Sequence, residues 1–375
     1  MSAFDLLPRT LNQAEWSGGQ ADGFSSNWGK KITIGLEPTK HLEKIEVFVR
    51  LNTGAGQIPK FLAADGLANL VKRLTFNFNE DGSQQPILDV TGSALWQLAP
   101  QLNGIEEQVN ITAKNVTAFA ASSAYSAFFC YNFNDPRFAE PSSFRTLIPL
   151  ARARGTKPTL EIQLPAITEL TSDASAIVPH ASYVGLEVFA KIYLRDIPDP
   201  TGTYPYWRTS VKTYRFGQNT ALQKEPRFIL ERGGVLTGIL QQNFATATTR
   251  GSILTDPTRT DKMQFWYGQR MMQEYYEHEL RARGDRSTVL QTWGPATGDG
   301  TVALGGYQAT MFWDFVSDES LSQTLLLNSA KELTHEALDG GDCYLRFTNM
   351  KANAAADMTV LKFREKKSDL LAVTI

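Results

Sequence analysis

Four histidines, His41, His180, His278 and His335, are scattered along the 375 residues. None stands in an H-E-x-x-H pattern or beside a cysteine cluster, the spacings that gather metal ligands on one side of an element. Glu274 and His278 are four residues apart, so on a helix they would share a face and could hold a metal; a solvated ion pair is the competing outcome. "GDGTVA" at residues 298–303 has the spacing of a dinucleotide loop at Gly298, Gly300 and Ala303. It follows "TWGPAT" and precedes "LGGYQ", so neither a strand before it nor a helix after it is evident, and a phosphate would lack its helix N-terminus. No G-x-S-x-G occurs, and no motif marks Cys130 or Cys343 as a nucleophile. Asp314 and Glu187 could serve glycoside hydrolysis only if the fold paired them, and both sit in strand patterns where a solvent-facing charge is ordinary. The residue types therefore assign no catalytic residue, no cofactor and no metal ligand; a structural Ca²⁺ is compatible but not derivable.

Shorter motifs carry less. "RGD" at Arg283 to Asp285 closes a helical pattern, where Gly284 serves as the stop. The sequons at Asn110 and Asn115 matter only in a secretory pathway. Tyr204, Tyr206, Trp207, Trp266, Tyr267, Trp293 and Trp313 could build a sugar-stacking surface. In a chain with 11% aromatics, most are expected instead as core or subunit-interface anchors.

Composition narrows the class. With 42% apolar and 20% charged residues the chain is a folded one, and its length suits two domains. Basic and acidic residues number 37 and 39, a formal net charge of −2, which supplies no global attraction to phosphate or anionic lipid. The N-terminus has no basic start followed by an apolar run, and no stretch of about 18 apolar residues occurs, so synthesis and folding in a cytoplasm are expected. The two cysteines lie in apolar alternating segments and read as buried thiols.

The elements that must position these residues are mostly strands. Period two places Ile45, Val47, Val49 and Leu51 on one face, and likewise Leu74, Phe76 and Phe78. Leu160, Ile162 and Leu164 repeat the pattern, as do Leu186, Val188, Ala190, Ile192 and Leu194. A helix is expected over residues 91–102, with Pro100 ending it, and a second over residues 261–284, from an Asp261 N-cap to Gly284. "RDIPDPTGTYPYW" has three prolines and no period, and reads as a linker.

On either side of that linker similar segments recur in the same order. "AFFCYNFNDP" is answered by "TMFWDFVSDE", and Leu345 follows Leu160 by 185 residues (345 minus 160). "KRLTFNF" is matched to "GGVLTGILQQN", and the first helix to the second. Two halves of about eight strands with long connections favour tandem jelly-roll sandwiches.

The order of strand, polar turn and helix in "LVKRLTFNFNEDGSQQPILDVTGSALWQL" and the tandem β-rich halves resemble the double jelly-roll major capsid proteins of tailless icosahedral viruses with an internal membrane, the corticovirus and tectivirus groups. The resemblance implies an all-β double jelly roll with short inserted helices, no enzyme activity, and a homotrimer forming a pseudo-hexagonal tile of an icosahedral shell. Its partners would be itself, neighbouring capsomers and minor capsid proteins, and its location the virion. The expected division is an N-terminal arm at 1–29, a first jelly roll at 30–196, a linker at 197–208, a second jelly roll at 209–366 and a tail at 367–375. The arm is mildly acidic, with Arg9 against Asp5, Glu15 and Asp22, so direct contact with nucleic acid is not expected, whereas Phe4, Leu6, Leu7 and Trp16 could face a neighbour or the internal membrane. The alternative is a β-sandwich carbohydrate-binding protein or glycosidase.

Overall fold

The computed structural model describes residues 9–17, 28–53, 66–80, 85–103, 124–134, 146–170, 183–197, 206–217, 225–231, 235–244, 262–267, 269–276, 279, 310–315, 343–348 and 355–366. The chain divides into two compact units, one of Met1–Thr209 with Glu365–Ile375 and the other of Ser210–Arg364.

In the first unit the strands are β1 (Arg9–Ser17), β2 (Lys31–Gly35), β3 (His41–Thr53), β4 (Arg73–Phe78), β5 (Gln85–Val90), β6 (Ala124–Asn132), β7 (Ile148–Pro149), β8 (Thr159–Gln163) and β9 (Tyr183–Arg195). One sheet has the order β1-β9-β3-β6, with β7 added to β3, and the other has the order β5-β4-β8-β2. Successive strands alternate between the sheets except at the β4–β5 hairpin and from β6 to the short β7, which is jelly-roll wiring. The alternation read in the sequence is the core. Ile45, Val47, Val49, Leu51 and Phe76 are fully buried, as are Leu160 and Ile162, and Val188, Ala190 and Ile192 nearly so. Burying each of these side chains other than Ala190 contributes roughly 1.5–3 kcal/mol.

Helix α1 (Gly92–Asn103) forms where expected and ends just beyond Pro100. Thr91 caps it: the Ala94 N–H donates to Thr91 Oγ1 at 3.3 Å. Its Trp96 packs edge-on against Phe129 of β6, ring centroids 5.6 Å apart. A single turn, α2 (Ile167–Leu170), follows β8.

The second unit holds β10 (Tyr206–Gly217) from Ser210 onward, β11 (Arg227–Ile229), β12 (Val235–Phe244), β13 (Lys262–Tyr267), β14 (Arg270–Tyr276), β15 (Thr310–Asp314), β16 (Cys343–Thr348) and β17 (Ala355–Lys366) as far as Arg364. Its orders are β15-β12-β17-β10 and β11-β16-β13-β14. They repeat the two four-stranded orders of the first unit, with β10 in the place of β1, β12 of β3, β13 of β4, β16 of β8 and β17 of β9; β7 has no counterpart among the described residues. Phe228, Ile239, Met263, Phe265, Met311, Trp313, Leu345, Phe347 and Met358 make the core.

Four expectations are corrected. The helix from Asp261 is the β13–β14 hairpin, with Lys262 opposite Tyr276 and Gln264 opposite Glu274. The core takes alternate residues there, Met263 and Phe265, and the outward ones bond across the pair, which a helix would not allow. Consequently "GGVLTGILQQN" corresponds to β3 and not to "KRLTFNF", whose counterpart is β13. Finally, Arg9–Ser17, read as part of an arm, is β1 and pairs along its length with β9, from Arg9 opposite Arg195 to Ser17 opposite Glu187. Tyr206, at the end of the stretch read as linker, already begins β10.

Candidate assembly surface

With both sheets of each unit turned inward on apolar side chains, what remains to act is the outward set and a few buried polar groups. In the first unit a cluster forms around Glu80. Tyr206 donates its hydroxyl to Glu80 Oε2 at 2.7 Å, and the Arg152 and Arg208 guanidinium groups lie 3.6 and 3.8 Å from the same carboxylate. Burial, then the Glu80 charge, holds the Tyr206 phenol well above its ordinary range, so it remains a donor. Arg195 makes a two-pronged pair with Glu43 at 2.8 and 3.1 Å, nearly closed to solvent. These are structural braces: each carboxylate is committed to a cation or hydroxyl of its own unit.

The outward face of β2-β8-β4-β5 is polar. Lys31 pairs with Glu161 at 2.6 Å, and Arg73 with Asp89 at 2.6 Å, which also accepts from Thr75 at 3.1 Å. One row across it reads Gly35, Thr159, Asn77, Pro86.

The corresponding face of β11-β16-β13-β14 differs. Its matching row reads Ile229, Tyr344, Trp266, Met271. Ile229 is 58% and Met271 48% exposed. Trp266 and Tyr344, half-buried, lie stacked with centroids 5.9 Å apart and planes 6° apart. Arg227 covers the Tyr344 ring at 4.9 Å and Arg346 the Trp266 ring at 6.0 Å. The next rows are charged but paired: Arg346 with Glu225, and Lys262 with Glu274 at 3.0 Å, where Gln264 also donates at 2.6 Å. Hydrogen bonds from Gln264 and then Lys262 lower the Glu274 carboxyl from its ordinary value, and the bond to Glu274 raises Lys262.

The sequence-predicted site residues do not converge. Glu274 sits on a strand and is bonded as above, while His278, His180, His335, the loop at 298–303, "RGD" and both sequons lie outside the described residues. Glu187 pairs with Arg50 at 3.3 Å in the first unit, and Asp314 ends β15 in the second. Among the described residues no three His, Cys, Asp or Glu side chains gather as a metal site would require. Cys130 and Cys343 are buried thiols not joined in a disulfide, as read. Trp313 and Tyr206 are buried and Trp266 is at the surface; Tyr204 and Trp293 lie outside the described residues. The Ile229–Met271 row escaped the sequence reading because no single segment contains it. Its only local sign was an apolar residue at the outward position of "RFI", "CYLRFT" and "KMQFWY".

No family model matches the chain, and no curated protein matches it in sequence. Solved structures do match its fold. The structure of Sulfolobus Turreted Icosahedral Virus covers 97% of this chain and 94% of its own at 13% identity and a TM-score of 0.62. The major capsid protein of that virus matches over 97% and 99% at 12% identity and a TM-score of 0.60. The PBCV-1 virus capsid matches over 95% and 94% at 11% identity and a TM-score of 0.55. At that identity the shared property is the fold, and the sheet orders agree with it: the chain is an all-β double jelly roll of the architecture found in viral major capsid proteins.

Proposed function

We propose that the chain is a viral major capsid protein that assembles as a homotrimer, a pseudo-hexagonal tile of an icosahedral shell in the virion. The observation that carries this reading is the duplication itself: two units with the same sheet order in one chain, matched end to end by capsid proteins. Three such chains present six equivalent sandwiches, which tile a near-hexagonal lattice. Shell formation then rests on many modest contacts between copies. Minor capsid proteins are the further partners that this role calls for. Of the aromatics that the sugar-binding alternative would use, Tyr206 and Trp313 are buried and Trp266 is stacked against Tyr344.

Light scattering during size exclusion tests the reading. The expected mass is three times 41.6 kDa, with shells or hexagonal sheets in electron micrographs. A monomer at every concentration would refute it.

A further inference from the structure

The duplicated fold supplies its own control for the surface of the second unit. At equivalent register positions the first unit carries Gly35, Thr159, Asn77 and Pro86, and the second Ile229, Tyr344, Trp266 and Met271. Both faces belong to the same sandwich architecture, so the jelly roll itself does not require bulky apolar residues there. The three large hydrophobic residues most exposed among the described ones, Ile229, Met271 and Tyr276, all stand on this one sheet. An apolar row of Ile, Tyr, Trp and Met rimmed by Arg is the composition of an interface centre and not of a solvated face.

We propose that this row seats a second copy of the same chain, as the apolar centre of the contact between neighbouring subunits. The inference rests on the assembly reading above. Charge favours this occupant. Two of the rim cations are paired with carboxylates, Arg346 with Glu225 and Lys262 with Glu274, and Arg227 lies on the Tyr344 ring, so the rim carries a single excess positive charge, a weak field for a nucleic acid or an anionic lipid. It suits a near-neutral surface of mixed sign, such as the chain's own face of Lys31–Glu161 and Arg73–Asp89 pairs. Size fits the same role. Four strands at about 4.8 Å spacing make a row about 14 Å long. Its side chains cover on the order of 200–300 Å², against about 800 Å² per partner in a stable interface, so the row is the centre of a larger contact and not the whole of it.

The test replaces the row with what the first unit carries, Trp266→Asn with Tyr344→Thr, in the full chain, with circular dichroism to confirm folding. Ile229→Lys, at a position already 58% exposed, is the second variant should the first not fold. The expected result is a rise of at least tenfold in the dissociation constant for self-association, with unchanged secondary structure. Association equal to wild type in folded variants overturns this inference and leaves the assembly reading intact. A wild-type chain that stays monomeric overturns both. Independently, Met271 replaced by p-benzoylphenylalanine is expected to cross-link the purified chain to itself through the opposing subunit. Self-association without that cross-link overturns the assignment of the row.

Discussion

Lys362 on β17 is buried, and its ammonium donates to the Glu231 carbonyl oxygen. Burial lowers its pKa to about 8 from 10.5, with the Glu231 carboxylate partly opposing and Lys212 adding to the shift. Below pH 8 the lysine is charged in both the folded and unfolded chain, and the fold bears the full desolvation cost. Between about 8 and 10.5 the folded chain has released the proton while the unfolded chain retains it, so stability rises with pH. The expected gain across that window is on the order of 2 kcal/mol, read as the urea midpoint against pH. Lys362→Met is expected to remove the rise and to unfold later than wild type at pH 7. A wild-type midpoint that is flat or falls over that window would contradict the assignment.

Among the elements, α1 depends on a close approach at its first residue. A Cβ on Gly92 would stand 2.1 Å from the Val71 carbonyl oxygen and 2.8 Å from that of Ala68. Backbone atoms cannot swing away as a side-chain tip can, and the Gly92 N–H also donates to Val71 at 3.1 Å. Gly92→Ala is therefore expected to destabilise by about 2–3 kcal/mol although alanine is the better helix former. Chemical denaturation would measure it, and a loss under 0.5 kcal/mol would mean that the helix start can shift. The β13–β14 hairpin shows the opposite balance: local signals for a helix yielded to a core that takes alternate residues.

For the whole molecule, the charge balance makes a prediction about nucleic acid. A net charge of −2 over 375 residues supplies no global attraction to phosphate, so tight binding to nucleic acid is not expected. In gel shifts with double-stranded DNA at about 0.15 M salt the purified chain should show no retardation below about 10⁻⁵ M. A salt-sensitive shift in the nanomolar range would contradict this expectation.

Period-two spacing by itself determined β3, β4, β8 and β9 and their inward residues, because alternation is a local property written in each segment: Ile45, Val47, Val49 and Leu51 could be assigned without a partner strand. The doubling was legible from the order of segments on either side of the linker, although one pair of segments was matched wrongly. The helix at α1 was equally legible over residues 91–102. Tertiary structure decided the rest. Residues 9–17 look like an arm until β9 offers an edge, and residues 262–276 look helical until Met263, Phe265 and Tyr275 are needed in a core. The surface row Ile229, Tyr344, Trp266, Met271 comes from four segments spread over more than a hundred residues, and only antiparallel register sets them side by side.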